Sequence, residues 1–186
     1  LLRLAVPSGF QQVFFAAGYT ALFAIIGKVG MQEVAAANVL VNLMLTAILP
    51  SVGLGMASAT LVGQALGRGD AEDAFQWAWD VVKLTFLGLS LLGLVLALFP
   101  EFFLGIFLKN PETVMLAKVP LIIWAAIMGL DGGGIVLMQS LVGAGAPRQV
   151  MQVTVVMQWV IFLPVAWLVG PVWGFGLVGI WAAQAI

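Results

Sequence analysis

The chain has 186 residues, 63% of them hydrophobic and 8% charged, with a formal net charge of -1 and a mean hydropathy of +1.15. Seven Lys or Arg and eight Asp or Glu cannot clothe a water-soluble core of this size, so the composition predicts a polytopic membrane protein covered by the lipid bilayer. The absence of Cys and His removes disulfides, zinc and haem sites and imidazole bases; the chain therefore reads as no enzyme, and its charge leaves no basic patch for nucleic acid.

A bilayer core about 30 Å thick takes roughly 20 apolar residues of helix. Cut on that ruler at its Gly, Pro and charge clusters, the sequence predicts an all-α bundle of six transmembrane helices in one unit, 1–186. The spans fall near 4–27, 33–66, 71–99, 113–143, 148–169 and 175–186. No segment alternates apolar and polar residues as a barrel strand does. The second span is too long for one straight crossing and must tilt, kink near Pro50 or project. The third follows "GRGDAED", whose acids suit a helix N-terminus. Between the third and fourth, "FFLGIFLKNPET" is too short to cross and amphipathic enough to lie in the interface. The sixth stops inside an apolar run and the chain opens on "LLRLAVP" without Met, so a piece of a longer protein is expected.

Arg3, Arg68 and Arg148 fall on one side of the membrane and Lys28, Lys109 and Lys118 on the other. Lys83 tips this tie toward the arginine side, which puts the N-terminus and the 67–73 and 144–149 loops in the cytoplasm. The segments "LVGQALGRGDAEDA" and "LVGAGAPRQVM" close the second and fourth spans on that same face. Their likeness fits a duplicated helical hairpin, or Gly and Arg that simply mark helix ends.

Small residues recur every fourth position at Ser51, Gly55, Ala59, Gly63 and Gly67, a stripe that lets another helix approach closely. Asn38, Asn42 and Thr46 make a polar stripe on the same span, read either as interhelical hydrogen bonding or as a cavity wall. The cavity reading gains support from Gln12 and Tyr19, seven residues apart on the first span, with Gln11 as an alternative to Gln12. Asp80 and Lys83, beside Trp77 and Trp79, read as a local pair in an aromatic belt.

Asp131 differs, because it sits near the midpoint of the apolar run 119–142, with no Lys or Arg one turn away on its helix. An ionised carboxylate there costs about 2.5 to 3.5 kcal/mol, which calls for a proton, a bound cation, a wet cavity or a buried hydrogen bond. Gly132, Gly133 and Gly134 leave the adjoining backbone easy to distort, so that its carbonyls could join a cation's shell. Trp124, Met128 and Met138 lie on roughly the same face. They suit a pocket for amphipathic cations, but read on their own they are ordinary filling for helix contacts.

Taken together, "ILPSVGLGMASATLVGQALGRGDAEDA", "QSLVGAGAPRQVM" and "FLPVAWLVGPVWGFGLVGIWAAQ" resemble, in that order and over essentially the whole chain, one lobe of a multidrug and toxic compound extrusion (MATE) transporter. The resemblance implies a twelve-helix inner-membrane transporter that exports small organic cations in exchange for sodium ions or protons, with no other cofactor. Its two six-helix lobes alternate access to a central cavity. The opening "LRLAVPSGFQQ" resembles the seventh helix, so this chain would be the C-terminal lobe and a second six-helix lobe its partner.

The resemblance also places the coupling cation at Asp131, with sodium as the metal in the sodium-coupled branch. That branch adds a glutamate eight residues after the first helix's proline, and the count from Pro7 lands on Phe15. Amides such as Gln11, Gln12, Asn38 or Asn42 would then replace the second ligand. The implied cation site is Asp131 with Asn38 and Asn42, and the implied substrate cavity is Gln12, Tyr19, Trp124, Met128 and Met138. The rival readings are a lipid or saccharide-lipid flippase of the same superfamily and a non-transporting structural subunit.

Overall fold

The computed structural model describes residues 2–184, and the side chains among these other than those of 2–8 and 11. The side chains of Arg3, Pro7 and Gln11 and the 185–186 end of the sixth predicted span thus lie outside the described residues. The described chain is helical throughout, without a strand: α1 (Leu2–Gly27), α2 (Met31–Gly67), α3 (Ala71–Leu98), α4 (Pro100–Phe107), α5 (Pro111–Gly143), α6 (Pro147–Val172) and α7 (Gly176–Gln184). Among the described residues, four helices, α2, α3, α5 and α6, are long and apolar enough to cross a membrane. The fold is an all-α transmembrane bundle.

Helix α5 is the centre of the bundle and packs against α2 and α3. Helices α2 and α5 run parallel: Gln32 Nε2 donates to Glu112 Oε2 at 3.3 Å near their starts, and the Ser58 and Ser140 hydroxyls meet at 2.7 Å further on. The small-residue stripe of α2 faces α5. A methyl group on Gly143 would run into the backbone of Ala59, and one on Gly55 would lie 2.8 Å from Gln139 Cγ. Gly67, at the end of the stripe, meets nothing.

Helix α3 runs antiparallel to α5 and is as close. A methyl group on Gly93 would strike the Ala125 carbonyl, and one on Gly129 would strike Ser90 Oγ and lie 2.9 Å from the Phe86 carbonyl. Close backbone approach maximises dispersion where lipid removes the hydrophobic drive between helices. Packing accounts for one of the glycines beside Asp131, whereas Gly134 meets nothing within 4 Å. Gly132 is buried against Leu89, Ser51 and Thr85, and α5 stays α-helical through 129–134, so no carbonyl is released toward a cation.

The turns after α2 and α5 are built alike. In the first, Asp70 N donates to Ala65 O and Gly69 N to Leu66 O; in the second, Ala146 N donates to Leu141 O and Gly145 N to Val142 O. Both are Schellman caps, with Gly69 at φ 80° and Gly145 at φ 85°, where a side chain would be strained. This shared cap accounts for Gly69 and Gly145, the α2–α5 contact accounts for Gly63 and Gly143, and the parallel helices put both loops at one end. Asp70 then caps α3 by accepting from Asp73 N at 3.0 Å, and Asn110 caps α5 by accepting from Glu112 N at 3.0 Å.

Helix α6 departs from simple periodicity. Met157–Phe162 and Leu168–Val172 are π-helical, with Leu163 N donating to Gln158 O and Trp173 N to Leu168 O, five residues back. Pro164 and Pro171 explain the slip. Each lacks an N–H and its ring crowds the carbonyl four residues earlier, so the ladder widens locally.

Candidate functional site

On the side of α5 away from α3, a cavity of about 540 Å³ opens between α1, α5, α6 and α7. Helix α1 contributes Phe15, Gly18, Tyr19 and Leu22, and α5 contributes Asp131, Met138 and Leu141. From α6 come Gln149, Val150, Val153, Thr154, Met157, Gln158, Ile161, Phe162 and Val165, and from α7 Ala183 and Gln184. Most of this wall is apolar, and Asp131 is the one charged residue in it among those described.

The carboxylate is half-buried and accepts a hydrogen bond at Oδ2 from Trp124 Nε1 at 3.1 Å. Trp124 is 1% exposed, so the donor is held by core packing and cannot swing away. One carboxylate oxygen is thereby oriented from within α5, and Asp131 still reaches the cavity wall. The Phe15 and Tyr19 rings pack edge-on at 5.0 Å between centroids along α1, giving the cavity an aromatic side. No described group of three or more acidic, His or Cys side chains forms a metal cluster.

Three residues singled out in the sequence thus meet here: Asp131, Tyr19 and Met138. Trp124 and Met128 do not line the cavity. Each is 1% exposed within the main core, because their positions on α5 turn inward among the surrounding helices. Trp124 belongs to the site through its N–H alone.

Gln12 is exposed on α1 and lies outside the lining. Asn38 and Asn42 are also absent from the wall. Asn42 Nδ2 donates to Asn38 Oδ1 at 2.9 Å and to Asn38 O at 2.8 Å, and Thr46 Oγ1 donates to Asn42 O at 2.9 Å, so the stripe satisfies itself along α2. In this structure the two amides stand apart from Asp131 along α2. Ser51, beside Gly132, marks the level of Asp131 on α2, and Asn42 lies nine residues earlier, about 13 Å at 1.5 Å per residue.

Besides Tyr19 and Thr154, the uncharged polar side chains of the described lining are amides of α6 and α7. Gln149, Gln158 and Gln184 line the cavity, and Gln158 Nε2 donates to Phe15 O at 3.4 Å, resting where Gly18 leaves room for it. Trp159 Nε1 makes a parallel bond to Phe14 O at 3.3 Å. Phe15, the position matched to the family's glutamate, therefore gives the site a ring and no carboxylate. Spacing does put Gln158 on the face of Val150 and Thr154, eight and four residues on from them, but it cannot tell which face of α6 or α7 borders a cavity.

The MatE family profile matches residues 7–168. The chain is 28% identical over 190 aligned residues to the probable multidrug resistance protein NorM of Brucella suis biovar 1 (strain 1330), covering 100% of this chain and 40% of that protein. Among solved structures it superposes on an outward-facing multidrug resistance MATE family transporter with a TM-score of 0.91 at 19% identity, over 100% of this chain and 42% of that one. It superposes on an inward-facing one with a TM-score of 0.89 at 18% identity, over 100% and 43%. The chain thus spans about 40% of the length of the curated relatives it matches. From the profile match, supported by the shared fold, it follows that this chain belongs to the MatE family.

Proposed function

We propose that this chain is one lobe, the C-terminal one, of a secondary-active antiporter that exports organic cations in exchange for sodium ions or protons. The observation that carries the reading is one acidic side chain, alone in charge among the described lining residues, on the wall of a mostly apolar, aromatic-sided cavity. An amphipathic cation gains there by burying apolar surface and by approaching Asp131, whose charge is poorly screened away from water. A neutral compound gains only the first.

Exchange follows if coupling ion and substrate both need the ionised carboxylate. Each then lowers the other's affinity, and the linkage is reciprocal. Alternating access supplies the second requirement, and the matches to outward- and inward-facing MATE transporters support a lobe that keeps its fold while it moves. Sodium would have to find its remaining oxygens among Tyr19 and the cavity glutamines; a proton needs the carboxylate alone. A flippase would be expected to hold a lipid phosphate with cationic groups, and the described lining contains no Lys or Arg.

The bilayer in question would be the inner membrane, with the loops bearing Arg68 and Arg148 in the cytoplasm. The test of the substrate class is equilibrium binding of a cationic dye and its neutral isostere to the full-length transporter. The cation should bind about tenfold more tightly or better, a margin of roughly 1.4 kcal/mol, and Asp131→Asn should erase the margin. Equal binding of the two dyes by the parent would refute the cation reading.

A further inference from the structure

A second cavity of about 370 Å³ lies at the opposite side of the lobe, where α3 ends, α4 begins and α5 passes beneath. Its polar walls are Glu101 and Lys118, whose carboxylate and ammonium pair at 2.6 Å across the α4–α5 contact. The pair is open to the outside, with the Glu101 side chain 64% and the Lys118 side chain 37% exposed. The other walls are apolar and include Leu98, Phe99, Phe102 and Ile122.

A track leads to this cavity. Leu87, Leu91, Leu94 and Leu98 recur at spacings of four, three and four along α3, and each is more than half exposed. Helix α3 packs on α2, α4 and α5, and the close contacts of Gly93 and Gly129 put α5 on its inner side, so the leucine stripe faces outward. From Leu87 to Leu98 the rise is about 16 Å, close to the half-thickness of a bilayer core about 30 Å across. With Phe99 taken as one edge of that core, roughly 20 residues of α3 reach back to Trp79 at the other, and on this frame the Glu101–Lys118 pair falls at headgroup level.

We propose that this corner binds a phospholipid whose headgroup carries a primary amine, such as phosphatidylethanolamine. Lys118 donates to the lipid phosphate and Glu101 accepts from the lipid ammonium, so the two charges exchange one ion pair for two. One acyl chain follows the leucine stripe, and Phe102 covers the glycerol region. The charge pattern selects the lipid: an anionic headgroup without an amine satisfies Lys118 and leaves Glu101 facing a like charge. Glu101 is ready for this role, because the Lys118 hydrogen bond and charge hold its carboxyl below the usual carboxylate range. The site is separate from the Asp131 cavity and does not depend on what that cavity transports.

The test is native mass spectrometry of the full-length transporter with phosphatidylethanolamine and chain-matched phosphatidylglycerol. The parent should retain one phosphatidylethanolamine in preference to phosphatidylglycerol by about tenfold, the worth of one charge-assisted hydrogen bond. Glu101→Gln, which keeps shape and removes charge, should abolish the preference, and Lys118→Met should lower retention of both lipids. Soluble phosphoethanolamine at millimolar concentration should displace neither. A Glu101→Gln protein with the parental unfolding midpoint and an unchanged lipid preference overturns the proposal. Displacement by phosphoethanolamine would assign the site to a free phosphoamine, and a second copy seated there in place of lipid would assign it to self-association; either result overturns it too.

Discussion

Trp124 and Asp131 lie seven residues apart on α5, and the indole N–H of the first donates to the carboxylate of the second at 3.1 Å. The donor is sealed in the core and the acceptor reaches the cavity. A hydrogen bond to a charged group is worth about 1.5 to 3 kcal/mol, so Trp124→Phe should raise the concentration for half-maximal substrate binding about tenfold or more. Phe preserves most of the ring volume, and the protein should still fold. Unchanged binding in a folded Trp124→Phe protein would show that the bond does not organise the site.

Backbone approach between helices makes an equally sharp pair of substitutions. Gly143→Ala places a methyl group against the Ala59 backbone, whereas Gly134→Ala meets nothing within 4 Å. The first should cost about 1 to 3 kcal/mol through overpacking, and the second should be neutral or slightly stabilising because Ala is the better helix former. Thermal unfolding in detergent compares them. Equal midpoints would mean that α2 and α5 separate freely.

These contacts show what could be read before the structure. Composition and the 20-residue ruler reveal the membrane-helical fold, since lipid demands long apolar helices whatever the packing. Asp131 stands out because a charge in an apolar run needs a reason. The partner of each face was harder to read. The Asn38, Asn42 and Thr46 spacing marks one face of α2 correctly, but spacing cannot tell a cavity wall from side chains that bond along their own helix. Trp124 was placed on the right helix face, yet its inward turn and donor role depend on the neighbouring helices. Gln158 shares a face with Val150 and Thr154 by ordinary helical spacing, yet only the packing of α6 against α1 shows that this face borders the cavity.

Sidedness follows from the paired caps. Gly69 and Ala146 lie in turns at the same end of the parallel helices α2 and α5, and Asn110 lies at the other. Single cysteines at Gly69 and Ala146 should resist an impermeant thiol reagent applied to intact cells, and one at Asn110 should react. Reaction of the first two with protection of the third would invert the orientation proposed from Arg68 and Arg148.

The Glu101–Lys118 pair has a pH dependence of defined sign. Its carboxyl pKa is depressed in the folded protein, so the stabilisation it gives is present above the unfolded value and is lost as pH falls through the folded one. A carbon-13 titration of the Glu101 carboxyl should find a midpoint below the ordinary carboxylate range, and Lys118→Met should move it up. A midpoint that ignores Lys118→Met would show that the pair does not persist in solution.

Sharing of Asp131 by ion and substrate is the basis of the exchange proposed for this chain. It is tested most directly in proteoliposomes of the full-length transporter, by measuring release of trapped sodium or protons when a cationic substrate is added. Asp131→Asn keeps the side chain's shape and can still accept from Trp124, but carries no charge. Substrate-driven ion release should disappear in the Asn protein while its unfolding midpoint stays near the parent's. Ion release at the parent's rate and stoichiometry would contradict it and place the coupling group elsewhere.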